Sequence, residues 1–294
     1  MRRNRQPTTP TRPAHHADGE VHDHDRGLAF DRGTLDRRRA LQLLGVGGVA
    51  TLVGCGTKGS DGSSSTSAAS STAASSTDDS ATATADGSGA IPEETGGPFP
   101  GDGSNGPNVL DDSGIVRRDI TGSFGEYSGT AAGVPLTIEM TLIDVAGGGG
   151  PLVGAAVYLW HCDQEGRYSL YSSGVTEENY LRGVQESDAD GKLTFESIYP
   201  AAYDGRWPHI HFEVYENLDT ATSSGQKVRT SQMAMPEATD ALVYATDGYE
   251  ASVQNLARTS LDTDMVFSDG YASQLATVTG TVEGGLTAQL NVGV

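Results

Sequence analysis

A low-complexity segment divides the chain and limits which of its residues can fold. Residues 56 to 90 are almost entirely Ser, Ala, Thr, Gly and Asp. Such a composition cannot bury enough apolar surface to offset the conformational entropy that ordering would cost. We therefore predict a disordered linker over residues 56–91 and a folded domain over residues 92–294. About 200 residues are enough for one domain with a substantial hydrophobic core.

Charge is distributed unevenly along the chain. Residues 1–54 hold nine Arg and six Asp or Glu, a net charge of +3, whereas the remainder holds 10 basic and 33 acidic side chains, a net charge of −23. The two parts sum to the net charge of −20 of the whole chain. A domain this acidic is not expected to bind nucleic acid or anionic membrane surfaces.

The first 55 residues have the features of an export signal. A basic stretch that ends at Arg39 precedes the apolar run Leu43–Gly54, which at 12 residues is too short to span a bilayer. The twin arginines followed by Ala-Leu resemble a Tat signal, and the string Leu-Val-Gly-Cys that ends at Cys55 resembles a lipobox. We therefore predict a leader over residues 1–55 and an exported protein, either extracellular or a cell-surface lipoprotein anchored through Cys55.

From residue 117 onwards the hydrophobic pattern is mostly that of β-strands. Apolar and polar residues alternate, and glycines interrupt the alternation frequently. The predicted strands are Leu136–Val145, Ala155–Cys162, Leu193–Ser197, His209–Tyr215, Val228–Met235, Thr277–Val282 and Leu286–Val292. Short helices are predicted for Glu237–Ala245 and Tyr249–Ala257. The pattern predicts an all-β fold, a β-sandwich of mostly antiparallel strands with a few short helices.

Two of the three histidines outside the leader lie two residues apart in one predicted strand. His209 and His211 flank Ile210, and the third histidine, His161, belongs to another strand. Alternate residues of a strand share a face, with Cα atoms about 6.6 Å apart, so the two imidazoles can bind one metal ion. On spacing alone zinc is the default metal, and a surface strand with incidental histidines is the alternative.

The surrounding residues resemble a known family. Three strings occur in order: Gly166-Arg167-Tyr168, then Pro200-Ala201-Ala202-Tyr203, then Arg206-Trp207-Pro208-His209-Ile210-His211. From about Gly97 to Met235 the chain resembles the intradiol ring-cleavage dioxygenases, which include catechol 1,2-dioxygenases and protocatechuate 3,4-dioxygenases. The resemblance implies that iron(III) is bound by the four residues Tyr168, Tyr203, His209 and His211. It further implies that O2 cleaves a catechol-type ring to a muconate-type diacid, in aromatic compound catabolism.

The same resemblance implies roles for further residues. Tyr203 would leave the iron and take up a proton, and Arg206 would stabilise negative charge that develops on the substrate. Gln232 lies in a segment that resembles a family strand near the substrate. Trp207 is a candidate for a wall of the substrate pocket or, alternatively, a packed aromatic residue.

Other residues near the predicted ligands receive weaker interpretations. Tyr171 competes with Tyr168 as the first tyrosine ligand, and Tyr168 is preferred because Gly-Arg-Tyr matches the family string. His161 is interpreted as structural. Glu213 and Tyr215 belong either to the surroundings of the ligands or to a solvated face.

Two features depart from the family pattern. The interval from Tyr203 to His209 is six residues, shorter than in catechol and protocatechuate enzymes, so we expect a more open site that admits bulky catechols. The helical N-terminal dimerisation region of catechol 1,2-dioxygenases has no counterpart, so the sequence does not predict the usual dimer.

Two other functions stay open: a zinc-dependent hydrolase, which needs a third His or carboxylate ligand, and a non-catalytic exported binding module.

Overall fold

The computed structural model describes residues 89–223 and 225–294. The predicted leader, with Cys55, and almost all of the predicted linker lie outside these residues. Ile91, which the sequence pattern assigns to the linker, is 2% exposed, and its N–H donates to the Gly293 carbonyl at 2.9 Å. The folded domain therefore includes Ile91, one residue before the predicted boundary, because this apolar side chain packs into the core.

In the described part of the chain, nine strands form two sheets. Their bounds are β1 Pro135–Asp144, β2 Gly150–Pro151, β3 Ala156–Trp160, β4 Arg182–Glu186, β5 Lys192–Ile198, β6 His209–Tyr215, β7 Lys227–Ala234, β8 Thr277–Thr281 and β9 Gly285–Gly293. One sheet has the order β2-β1-β9-β8, with β5 also paired to β1, and the other has the order β4-β3-β6-β7. The pairing of β1 with β9 is parallel, and the other pairings are antiparallel. The predicted all-β class with mostly antiparallel strands is confirmed.

The two sheets share one hydrophobic core. β1 alternates buried and partly exposed residues, and its buried side chains include Ile138 and Leu142. They belong to the same cluster as Ile210, Phe212 and Val214 of β6 in the other sheet. Since each sheet buries one face against the other, the arrangement is the predicted sandwich.

Short helices connect the later strands. They are α1 Leu218–Ala221, α2 Glu237–Val243, α3 Glu250–Leu256 and a 3-10 helix at Phe267–Asp269. The bounds of α2 and α3 are close to the predicted ones. The side chain of Asn217 caps α1 by accepting a hydrogen bond from Thr220 N at 2.8 Å. Within the described part of the chain, no helix has both the length and the apolar character needed to cross a membrane.

Strands β2 and β4 were not predicted. β4 begins with Arg182 and Gly183 and ends with Glu186, so its sequence shows no clear alternation. It is nevertheless paired with β3 along its whole length. Pairing with a buried neighbour, rather than the intrinsic preference of its residues, makes this segment a strand.

β6 is buried on both faces, which the sequence pattern left open. All seven of its residues are buried. The face opposite the core is covered by the segment that follows Ile91: Glu94 N donates to the Thr230 carbonyl at 2.8 Å, and the Gln232 side chain donates to the Thr95 carbonyl at 2.9 Å. The histidines of β6 therefore lie in an enclosed layer between the sheet and this N-terminal segment.

Candidate metal centre

One cross-strand row of the four-stranded sheet carries the central side chains of the site. Arg182 of β4 pairs with Trp160 of β3, Trp160 pairs with His211 of β6, and His211 pairs with Gln232 of β7. Opposite residues of antiparallel strands point to the same face, so these four side chains stand side by side. The Trp160 indole stacks on the His211 ring with centroids 4.9 Å apart and planes 4° apart. This stacking fixes the orientation of the His211 imidazole.

The two histidines of β6 converge through their Nε2 atoms, which lie 3.1 Å apart. The Nδ1 atom of His209 is 2.5 Å from the Trp207 carbonyl oxygen. A carbonyl can only accept a hydrogen bond, so Nδ1 carries the proton and Nε2 presents its lone pair. Burial lowers the pKa of both histidines well below its usual value. Both rings are therefore neutral at pH 7, which is the form that binds metal ions.

Both predicted tyrosine ligands lie beside these histidines. The Tyr203 hydroxyl is 3.2 Å from His209 Nε2. The Tyr168 ring centroid is 5.7 Å from that of Tyr203 and 6.2 Å from that of His211. Tyr168 is 1% exposed, whereas Tyr203 is half-buried. The structure thus brings all four predicted ligands together, with Tyr203 on the side that faces solvent.

The donor set fits a hard trivalent cation. The Tyr168 hydroxyl is buried and makes no well-formed hydrogen bond. The Tyr203 phenol is nevertheless close enough to influence its pKa. Burial, and then Tyr203, raise the pKa of Tyr168 well above its usual value. Ionising even an ordinary phenol at pH 7 requires about 4 kcal/mol of free energy. The attraction of a trivalent ion for the phenolate readily offsets this amount. Two phenolates and two imidazoles, with no thiolate, favour iron(III) over zinc or copper.

Arg206 lies near Tyr168 and His209 and is held in place by two side chains. Its Nε atom donates to Asp264 Oδ2 at 2.9 Å, and its Nη2 atom donates to Gln232 Oε1 at 2.7 Å. Arg206, Asp264 and Gln232 are all at most 1% exposed. Gln232, which the sequence predicts near the substrate, thus contacts Arg206, and it also links Arg206 to the Thr95 carbonyl of the N-terminal segment.

Two carboxylates near Arg206 were missed by sequence reasoning. Asp264 forms the ion pair, and Glu94 is a buried residue of the N-terminal segment. Burial, and then Asp269, raise the pKa of Glu94 to about 7, while Arg206 acts to lower it. Both carboxylates are distant from the ligand strings in the sequence and sit in loops, so no pattern in the sequence signals their position.

The structure supports the preference for Tyr168 over Tyr171 and the structural interpretation of His161. The Tyr171 hydroxyl donates to the Asn105 carbonyl at 3.0 Å and accepts a hydrogen bond from a backbone N–H at 2.8 Å. Both ring nitrogens of His161 are engaged, Nε2 with Ser197 Oγ at 2.7 Å and Nδ1 with a backbone carbonyl at 2.8 Å. Neither side chain is among those that converge at the centre.

Trp207 and Glu213 each had two alternative interpretations from the sequence, and for each residue the structure disagrees with one of them. The indole of Trp207 is 3% exposed, donates to the Met235 carbonyl at 2.8 Å and packs in a small apolar cluster. It is a packed aromatic residue, and a wall of the substrate pocket is not supported. Glu213 is not on a solvated face, because it is fully buried and receives hydrogen bonds from Tyr215 at 2.7 Å and from Lys227 at 2.6 Å.

Comparisons of sequence agree with this geometry. The sequence model of the dioxygenase family matches residues 116–226. The chlorocatechol 1,2-dioxygenase of Rhodococcus opacus is 36% identical over 56 residues, 19% of this chain and 22% of that protein. The hydroxyquinol 1,2-dioxygenase of Corynebacterium glutamicum is 29% identical over 127 residues, 37% of this chain and 39% of that protein. The chain thus spans less than half the length of these relatives.

Comparison of structures leads to the same fold. The intradiol ring-cleavage dioxygenase from Tetranychus urticae has a TM-score of 0.50 and 23% sequence identity, covering 62% of this chain and 87% of that chain. This likeness shows the fold. The stretch matched by the family model, residues 116–226, contains all four predicted ligands and Arg206, so the resemblance predicted from the motif strings is confirmed.

Proposed function

We propose that this chain, whose residues 116–226 match the dioxygenase family model, is an intradiol ring-cleavage dioxygenase, a non-haem iron(III) enzyme that opens catechol-type rings with O2. The observation that carries the proposal is the convergence of two tyrosines and two histidines at one end of β6, with the histidine Nε2 atoms 3.1 Å apart. The product would be a muconate-type diacid, which suits a role in aromatic compound catabolism. The names of the curated relatives, which act on chlorocatechol and hydroxyquinol, support a catecholic substrate.

The ligand residues would share the work unequally. Tyr168, His209 and His211 are buried and would hold the metal in place. Iron(III), when bound, would act as the Lewis acid that binds and activates the catechol. Tyr203 is half-buried, so its phenol oxygen is suited to leave the metal and accept a proton from an incoming catechol hydroxyl. The protein would thereby remove a proton from the substrate without exposing the other three ligands to water.

Arg206 would stabilise the negative charge that develops on the substrate. Its guanidinium cannot lose its proton at any working pH. Asp264 and Gln232 hold it from two directions through bonds of 2.9 and 2.7 Å. A cation fixed before the reaction stabilises developing charge without a cost of reorganisation. The short interval between Tyr203 and His209 leaves Tyr203 and the exposed Asp204 at the rim, which supports our further proposal that bulky catechols are accepted.

Export through the leader is proposed on the sequence alone. The Tat-like signal and the lipobox-like string ending at Cys55 support an extracellular or cell-surface location. Metabolic labelling with a fatty acid tests this proposal: the wild-type chain should carry the label in the membrane fraction, and Cys55→Ser should not. Equal labelling of the two proteins would contradict anchoring at Cys55.

The zinc hydrolase reading lacks support from the residues near His209 and His211. Over residues 89–223 and 225–294, no group of three or more His, Cys, Asp or Glu side chains is arranged to hold a metal ion. A catalytic zinc site ordinarily uses three protein ligands of these types. A non-catalytic binding module would not need buried tyrosine hydroxyls beside two neutral imidazoles, a costly arrangement in the absence of a ligand.

The deciding experiment uses the purified full-length chain. We would measure its metal content, record its visible absorption spectrum, and follow O2 consumption after catechol is added. About one iron per chain, a tyrosinate-to-iron absorption band that shifts with catechol, and O2 uptake would support the proposal. A colourless protein that stays inert after loading with iron would contradict it, and stoichiometric zinc would favour the hydrolase.

A further inference from the structure

Arg182 is a fully buried arginine whose hydrogen bonds all go to neutral oxygen atoms. It is 1% exposed. Its Nε atom donates to Ser169 Oγ at 3.0 Å, and Nη2 donates to the carbonyls of Ser169 at 2.9 Å and Phe99 at 3.0 Å. Nη1 donates to the Pro100 carbonyl at 2.9 Å and to the Tyr158 hydroxyl at 3.1 Å. These five bonds use the five N–H donors of a guanidinium, and no carboxylate is among the acceptors.

Except for the Tyr158 hydroxyl, the acceptors of Arg182 belong to the loop of Tyr168 and to the segment that packs against the Tyr168 ring. Ser169 follows Tyr168 directly in the chain. The Phe99 ring packs against the Tyr168 ring, with centroids 4.8 Å apart and planes 31° apart. The guanidinium therefore donates hydrogen bonds both to the backbone of the Tyr168 loop and to the backbone of the Phe99–Pro100 segment that covers it. Displacing Arg182 would release both contacts at once.

Strained backbone on both sides of this connection shows that its geometry is imposed by the surroundings. Leu170 has a φ of 72° and Leu181 has a φ of 56°, in the left-handed region that leucine rarely adopts. Leu170 follows Ser169 and Leu181 precedes Arg182, so the two residues that bond to each other each adjoin a strained leucine. Such conformations persist where neighbouring contacts over-determine them, and they are concentrated at functional sites.

Burying a cation without a counter-ion contributes little to the stability of a fold, because desolvation of the charge is unfavourable. Leaving water costs a charged group much more than it costs a neutral group, and hydrogen bonds to carbonyls recover this in part. Arg182 also occupies the cross-strand row of His211, separated from it by Trp160. The desolvation cost of Arg182 is explained if the residue positions a part of the candidate metal centre in addition to stabilising the sheet.

We propose that Arg182 is a positioning residue that fixes the Tyr168 phenol for metal binding by joining the Ser169 backbone to the Phe99–Pro100 segment. The inference rests on the proposed function, because it concerns a ligand of the proposed iron centre. It assigns to Arg182 no contact with the substrate or with the metal.

Arg117 provides a matched control for this proposal. Its guanidinium also bonds to neutral backbone oxygens, including the Arg182 carbonyl at 2.9 Å and the Asn179 carbonyl at 3.3 Å, and it lies over the Phe124 ring. None of its bonds reaches Tyr168 or the segment that covers it. A loss of stability that is common to both arginines can therefore be separated from an effect on the ligand.

The test compares full-length Arg182→Gln, Arg182→Lys and Arg117→Gln after loading with iron. We would measure iron affinity by competition with a chelator, the position of the tyrosinate-to-iron band, and the midpoint of urea unfolding. Arg182→Gln should bind iron about 10- to 100-fold more weakly, the usual effect of removing a residue that orients a ligand, and should displace the band. Arg182→Lys should recover part of the affinity, and Arg117→Gln should match the wild type in both metal measurements while losing stability.

The possible failures are distinguishable. A wild-type protein without iron or band would overturn both the proposed function and this inference. A normal wild type, with Arg182→Gln equal to Arg117→Gln in affinity and band, would overturn the inference alone. If Arg182→Gln does not fold, Ser169→Ala decides, since it removes one acceptor of Arg182: a weaker affinity with a displaced band supports the inference, and wild-type values overturn it.

Discussion

Arg206 and Asp264 form an ion pair at 2.9 Å in which both side chains have no exposed surface, although 58 residues separate them in the chain. Asp264 also accepts hydrogen bonds from the backbone N–H groups of Trp207 at 2.7 Å and Val266 at 2.8 Å. The carboxylate therefore fixes the turn that carries Arg206 to the loop before the 3-10 helix. The position of the cation at the centre depends on a loop that is far from the ligand motifs.

The substitution Asp264→Asn is expected to destabilise the protein strongly. Removing one partner of a buried ion pair leaves the other charge without compensation, which typically costs about 3–5 kcal/mol. The free energy of unfolding in urea measures this loss. Asp204→Asn is the control, because its pair with Arg258 at 3.2 Å is exposed and such pairs contribute about 0–1 kcal/mol. Similar losses in the two variants would contradict the assigned role of Asp264.

The substitution Tyr203→Phe is expected to abolish turnover while preserving the fold. It removes the phenol oxygen that lies 3.2 Å from His209 Nε2, and with it the proposed proton acceptor. Positioned proton transfer contributes about 100- to 10,000-fold to rates, so O2 uptake with catechol should fall at least about 100-fold. Tyr171→Phe, which removes a hydroxyl bound to backbone groups, should keep the absorption band. If Tyr171→Phe rather than Tyr203→Phe removes the band, the ligand assignment is wrong.

The histidines of the domain should separate into ligands and a structural residue. His211→Gln removes a convergent Nε2 atom and should lower the iron content of the purified protein to a small fraction of one per chain. His161→Gln replaces a ring whose nitrogens are bonded within 2.8 Å to protein oxygens, so it should lower the stability but keep the iron. Metal analysis and thermal unfolding of both variants make the comparison, and iron loss in His161→Gln alone would reverse the assignment.

Asp240 should make the stability depend on pH. Burial, and then Glu237, raise the pKa of Asp240 to about 8, against a lowering by the hydrogen bond from Tyr199 at 2.7 Å. The folded protein keeps this proton up to about pH 8, whereas the unfolded chain loses it near pH 4, so the stability is fully present below about pH 4 and falls as the pH rises toward 8.

Replacing Asp240 by Asn tests this dependence. The amide oxygen can still accept the Tyr199 hydrogen bond, but no charge has to be buried. At pH 9 the variant should exceed the wild type in unfolding free energy by at least about 1.4 kcal/mol, the equivalent of one pKa unit. Glu283→Gln, an exposed position in the turn between β8 and β9, is the control and should leave the pH profile nearly unchanged. A wild-type profile that is flat between pH 4 and 8 would show that Asp240 does not titrate there.

The parts of the fold that were predictable from sequence are those with a local pattern. β6 was predicted with the bounds His209–Tyr215 that the structure has, because its apolar residues alternate with polar ones. β4 was not, because Arg182 and Gly183 carry no hydrophobic signal and the strand exists through its pairing with β3. A period-two pattern also cannot reveal a chain segment that covers the second face of a strand. The sequence therefore left open whether Glu213 is buried near the ligands or exposed to solvent.

The candidate site was predictable to the extent that its residues form short strings. Tyr168, Tyr203, His209 and His211 were named from such strings, and the structure brings them together. Asp264 and Glu94 were not, because their importance arises from contacts with Arg206 across long stretches of sequence. The same is true of Arg182, whose acceptors lie 13 to 83 residues away along the chain.

The parallel pairing of β1 with β9 bears on how the protein is made. Leu136 is paired with Leu286 and Ile143 with Gly293, so each contact joins residues 150 positions apart. Such non-local pairings slow folding, because much of the chain must be ordered before they form. While the chain emerges from the ribosome, one edge of β1 stays unpaired until β9 has been synthesised. We therefore expect the sheet to close only after β9 has left the ribosome, with exposed strand edges as the main hazard before that point.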